Sequence, residues 1–86
     1  MRPLKMLFQI VKEDITNRRD SGKYFFMCNS IKLLYDRGEI DEQEEEALLG
    51  YLGKNKPEGI VNGGSWFEPN DFKSRINWLN EQINKL

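Results

Sequence analysis

Along the chain, apolar and polar positions alternate with the period of an α-helix. From Pro3 to about Arg19, Leu4, Leu7, Phe8, Val11 and Ile15 recur at three- and four-residue spacing, with Lys5, Lys12, Glu13 and Arg19 on the other side, which predicts an amphipathic helix. Pro3 suits its first turn, where an N–H would be unpaired anyway, and Asp20-Ser21-Gly22 is expected to end it. The next segment, KYFFMCNSIKLLYD, is apolar over most of its circumference and reads as the central helix, with Phe26, Met27, Ile31, Leu34 and Tyr35 expected inward. Gly38 follows where a left-handed cap is wanted, and Ile40 is placed to fold back on the last turn.

Asp41 then opens a third helix. Glu44, three residues on, forms the acidic analogue of a capping box, and Glu42, Glu44, Glu45 and Glu46 crowd the positive end of the helix dipole. Ala47, Leu48, Tyr51 and Leu52 are expected to face the core, pairing this helix with the second as a tight hairpin that fades near Gly53 and Pro57. The last helix carries Phe72, Ile76, Leu79, Ile83 and Leu86 in one stripe behind Asn70 or Asp71 as N-cap. Trp78 lies beside that stripe, placed to cover a rim or to reach a partner chain. Gly59-Ile60-Val61 is the one short stretch that reads as extended. The expectation is an all-α fold, a small bundle of about four helices with a central helical hairpin and a Gly/aromatic loop before the last helix, forming a single domain over residues 1–86.

Composition narrows the picture. A domain of 86 residues buries roughly 60% of the surface its unfolded chain exposes, so its core is thin. With one cysteine and no histidine, neither a disulfide nor a histidine-based metal site is available as a staple, and a homo-oligomer is expected. Formal net charge is −1, too small to gather nucleic acid or an anionic membrane by long-range attraction. No apolar run approaches the ~20 residues of a membrane span, and no charged segment followed by an apolar one opens the chain as a secretory leader would. The expected setting is a cytoplasm, without membrane or nucleic acid as partner.

Candidate chemistry falls into a few places. LLYDRGEIDEQEEE imitates a calcium loop at Gly38, Ile40 and Glu44, but registering on Gly38 puts Leu33 and Tyr35 at the first two ligand positions, and neither coordinates calcium. Glu44 to Glu46 point in different directions on a helix and read as a solvated face. Cys28 lies in the most apolar helix and reads as a small core residue; its neighbours Asn29 and Ser30 face solvent or meet a partner. Arg18, Arg19 and Lys23 form a basic turn before Tyr24 and Phe25, either a polar connection followed by core aromatics or a phosphate contact with stacking rings. No catalytic residue, metal ligand or cofactor is expected, since the usual general base is missing and no acids converge.

The densest stretch is NGGSWFEPNDF, residues 62–72. Gly63-Gly64 lacks the spacing and the lysine of a phosphate loop. Trp66 and Phe67 nevertheless precede the N-terminus of the last helix, where free N–H groups favour an anion, and Arg75 lies one turn further in. One reading makes Trp66 and Phe67 a hydrophobic staple, with Arg75 paired to Glu68 or Asp71. The other makes them an aromatic shelf for a nucleotide-like ligand, bound by Trp66, Phe67, Asn70, Arg75 and Trp78.

The order FFMCNSIKLLYDRGEIDEQEEEALLGYL, NKP and SWFEPNDFKSRINWLNEQI resembles a loose group of short bacteriophage proteins, mostly of unassigned function. In that group an aromatic-aromatic-x-Pro turn leads into an Arg-Ile-x-Trp-Leu helix. The resemblance spans roughly residues 25–83 and rests on Trp66, Phe67, Pro69, Arg75, Ile76, Trp78 and Leu79. Asn70-Asp71 stands where a second proline or a Pro-Gly turn would be expected, and no catalytic residue is carried over. The resemblance implies a phage accessory protein acting in the host cytoplasm by stoichiometric binding. Its partner would be a nucleotide-derived immune signal or, alternatively, a host protein held through an exposed aromatic/Arg patch.

Overall fold

A computed structural model describes residues 1–17, 19, 22–56 and 72–86. It places four helices in chain order: α1 (Pro3–Thr16), α2 (Lys23–Asp36), α3 (Glu42–Lys54) and α4 (Phe72–Lys85). The all-α expectation holds. The helices pack in the order α4, α1, α2, α3, so that α2 and α3 form the expected hairpin and α1 sits between α2 and α4. No Cα pair between α3 and α4 comes within 8 Å. Side chains bridge them instead.

The α1 stripe is buried as its period predicts: Leu4, Leu7, Phe8, Val11 and Ile15 are all in the core. Pro3 occupies the first turn. The helix ends at Thr16, three residues short of the expected Arg19, because Asn17 stops it. The Asn17 side chain donates from Nδ2 to the Glu13 carbonyl at 2.9 Å, and its backbone N–H takes the same carbonyl at 3.0 Å. Asn competes for helix backbone in this way wherever it sits near an end.

α2 departs most from expectation. Its buried residues are Tyr24, Met27 and Ile31, whereas Phe26 and Tyr35, expected inward, are exposed and Leu34 is half-buried. Met27 and Ile31 stay inward as expected, and Tyr24 explains why the stripe leans away from Phe26. Its ring enters the core and its hydroxyl donates to the Leu52 carbonyl on α3 at 3.1 Å, giving a buried phenol the partner it needs. On α3, Leu48 and Leu52 are buried and Tyr51 half-buried as expected, but Ala47 is exposed and Leu49 is half-buried.

Both ends of the α2–α3 turn are capped as the residues dictate. Gly38 has φ +75°, its N–H meets the Tyr35 carbonyl at 3.0 Å, and the Glu39 N–H meets Leu34 at 2.9 Å, the paired bonds of a Schellman motif. Ile40 closes it and is buried. Asp41 accepts from the Glu44 N–H at 2.8 Å, and Glu44 reaches back to the Asp41 N–H at 3.4 Å, completing a capping box. A Cβ at Gly38 would meet nothing within 4 Å, so the cost of Gly38→Ala is purely that of a left-handed backbone, about 1–2 kcal/mol. Urea unfolding should show that loss, with Gly38→Asn recovering part of it.

Tyr24 also gives a pH signature. Burial, helped by the nearby Cys28, pushes its phenol from an ordinary 10.0 up to about 12. The native state therefore holds this proton more tightly than the unfolded chain, and the stability it contributes is present below pH 10 and lost as pH rises toward 12. Tyr24→Phe should flatten that part of the stability-versus-pH curve relative to the parent, while costing about 1 kcal/mol at neutral pH through the lost hydrogen bond.

Candidate functional site

Side chains of α3 and α4 meet across the seam between these helices. On α3, Tyr51 follows the buried Leu48 by three residues and so borders the buried face; on α4, Trp78 follows the buried Arg75 by three. Their rings stack in parallel, with centroids 4.0 Å apart and planes 5° apart. The Trp78 ring also meets Phe8 of α1 edge-on at 5.6 Å and 82°. Trp78 thus covers a rim of the core, one of the two roles its position beside the α4 stripe allows.

Arg75, one turn earlier on α4, points inward. It is 3% exposed and donates from Nη2 to the Asn55 carbonyl at 3.1 Å. Asn55 closes α3: its Nδ2 donates to the Tyr51 carbonyl at 2.8 Å and its N–H to Leu52 at 3.2 Å. The guanidinium therefore lies at the negative end of the α3 dipole, a favourable place for a cation.

Outside this seam runs an open groove of about 540 Å³, lined by Tyr51, Lys73, Ser74, Asn77, Trp78 and Glu81. Lys73, Asn77 and Glu81 fall at successive four-residue steps, and Ser74 lies one turn before Trp78, so one face of α4 supplies a cation, an amide, a hydroxyl and a carboxylate beside an aromatic wall. Of the candidate binding residues, Trp78 lines this groove. Arg75 is not among the described lining residues; it is buried and bonds the Asn55 carbonyl at the end of α3. Trp66, Phe67 and Asn70 lie outside the described residues, as do Glu68, Asp71, Pro57, Gly63-Gly64 and the Gly59-Ile60-Val61 stretch. Sequence reasoning missed Tyr51 as a wall and the polar stripe Lys73, Ser74, Asn77 and Glu81. The four-residue recurrence of that stripe next to Trp78 was the available signal.

The other candidates sort differently. In the basic turn, Asp14 pairs with Lys23 at 2.8 Å and with Arg19 at 3.5 Å, and the Lys23 hydrogen bond chiefly holds its carboxyl below the usual range; Arg18 lies outside the described residues. Tyr24 is in the core while Phe25 is exposed and meets it edge-on at 5.6 Å, so the two do not form a shared stacking platform. Cys28 is half-buried, and burial raises its thiol pKa, which disfavours the nucleophilic thiolate. Asn29 is exposed and Ser30 half-buried. Among the described residues no three His, Cys, Asp or Glu side chains cluster as a metal site, and no helix is long and apolar enough to cross a membrane. Comparisons with protein-family models, curated proteins and solved structures find no match.

Proposed function

We propose that this protein acts by stoichiometric binding rather than catalysis, holding a nucleotide-derived signal in the groove between α3 and α4. The observation that carries the reading is the parallel Tyr51–Trp78 stack forming one wall of a groove that also presents Lys73, Ser74 and Asn77. Base–aromatic stacking contributes about 1–3 kcal/mol per base. Lys73 supplies a point charge for phosphate, and the Ser74 hydroxyl and Asn77 amide supply donors and acceptors for a base edge or ribose. The groove volume falls within the roughly 300–1,000 Å³ of small-molecule sites. With the resemblance to short phage proteins, the reading becomes counter-defence: an accessory protein in the host cytoplasm that sequesters an immune signal.

Calorimetry against a panel of cyclic dinucleotides and cyclic ADP-ribose isomers tests it. One class should bind saturably, be recovered chemically unchanged, and lose affinity when Lys73 is replaced by Ala. Silence across the panel would remove the sequestration reading. The second reading, an inhibitor of a host protein, draws on Phe25, which is 43% exposed on α2 away from the groove; aromatic side chains of this kind are favoured interface anchors. A stable host complex lost on Phe25→Ala, in a protein that binds nothing on the panel, would favour it.

A further inference from the structure

The outward face of the α1–α2 pair is apolar and regularly spaced. On α1, Pro3, Met6, Ile10 and Glu13 follow at three- and four-residue steps; on α2, Phe26, Ser30 and Leu33 do the same, and Arg37 at its C-cap continues the spacing. Met6 is 49% exposed, Ile10 47%, Phe26 40% and Leu33 50%. Between the helices lies a shallow groove of about 260 Å³, walled by Met6, Ile10, Ser30 and Leu33 among others.

That groove joins the N-terminal half of α1 to the C-terminal half of α2, and the Asp14–Lys23 ion pair joins their opposite ends, so the helices are antiparallel. Glu13 therefore marks one end of the face and Arg37 the other. Asp14 holds Arg19 and Lys23, and Glu44 holds Arg2 at 3.0 Å. Glu13 and Arg37 have no ion-pair partner among the described residues.

We propose that a second copy of this chain docks on this face, related by a two-fold axis that lies in the interface and crosses the helices between Met6 and Ile10 and beside Ser30. That operation stacks α1 antiparallel on the partner's α1 and α2 on the partner's α2. It sets Met6 against the partner's Ile10 and Phe26 against the partner's Leu33, and it brings Glu13 to the end that carries the partner's Arg37. Ser30, small and central, lets the two α2 helices approach. A strip ending in an acid on one side and a base on the other is complementary to its own rotated copy, which is what an isologous interface requires. A lipid surface would instead favour basic residues at both ends. Each helix is 14 residues long, so the pair presents a face about 21 Å long at 1.5 Å per residue. The face is separate from the α3–α4 groove, and the proposal is independent of what that groove binds.

Sedimentation equilibrium of the full chain over a wide concentration range decides the matter. A dimer of the 10.2 kDa chain is expected. Ile10→Asp and Leu33→Asp, both at exposed positions, should keep the helical circular dichroism and weaken dimerisation roughly tenfold or more, the equivalent of about 1.4 kcal/mol. Glu13→Arg and Arg37→Glu should each weaken it, and the two together should restore it, because only the antiparallel two-fold places those charges at the same end. A monomer at every concentration overturns the proposal, including one that binds phosphatidylglycerol vesicles or a host protein through Ile10. So does a dimer indifferent to Ile10→Asp and Leu33→Asp, or one that the double charge swap fails to restore.

Discussion

Phe8→Ala will lower the unfolding free energy by about 3–5 kcal/mol, the range for truncating a buried aromatic. Phe8 is 0% exposed on α1, the helix that packs on both α2 and α4, and its ring carries the edge of Trp78. Alanine there removes the apolar transfer energy of the ring and leaves a void that three helices must collapse to fill. Domains in general hold only about 5–15 kcal/mol, and a thin core belongs toward the lower end, so a large fraction of the total is at stake. A loss of this size shifts the midpoint of thermal unfolding by roughly 4–8 °C per kcal/mol in a domain of this length. Urea unfolding followed by circular dichroism measures it, with Phe8→Leu as the milder variant if the alanine form does not fold. A loss below about 1 kcal/mol, in the range typical of surface substitutions, would mean that the α1 core is not built as described.

Trp78→Ala is the second large effect, and it should appear in two measurements. The stability cost is expected near 3 kcal/mol, the low end for aromatic truncation because the ring is half-buried. Tyr51→Ala should cost less alone, and the double variant less than the sum, by about 0.5–1.5 kcal/mol, the extra energy of an aromatic pair. Strict additivity would deny the stack. In binding, any ligand that uses the groove loses the wall it stacks on, so Trp78→Ala should abolish the calorimetric signal under conditions where the protein remains folded. Trp78→Phe separates the two effects: it keeps an apolar ring over Phe8 but offers a smaller stacking face, and should retain more stability than affinity.

How much was legible in the sequence differs from helix to helix. The buried face of α1 was readable to the residue because five apolar positions and their polar complement leave one possible face, although its end fell three residues early. The α2–α3 corner was readable because its chemistry is local: Gly38 reaches a left-handed conformation at little cost, and Asp41 and Glu44 bond across three residues. α2 was not. With Tyr24, Phe25 and Phe26 consecutive and apolar residues nearly all round, its period does not choose a face. The choice fell to Tyr24 because its hydroxyl alone could reach an acceptor, the Leu52 carbonyl of α3.

The candidate site was legible in the same uneven way. Trp78 stood out as a large aromatic beside the α4 stripe, and it does wall the groove. Tyr51 lies 27 positions earlier, and nothing local announces that the two rings stack. Arg75 looked like a ligand residue because an arginine one turn into a helix is ordinarily solvated or binding, yet here it is buried against the end of α3. The sequence by itself determined the order of the helices, how the hairpin turns, and which face α1 buries, since these depend on interactions spanning only a few residues. The tertiary structure alone decided which α2 aromatics enter the core, that Arg75 bonds the Asn55 carbonyl at the end of α3, and that α3 and α4 meet through side chains rather than backbone. Those outcomes depend on burial and hydrogen-bond partners that belong to other helices and become available only once all four are packed.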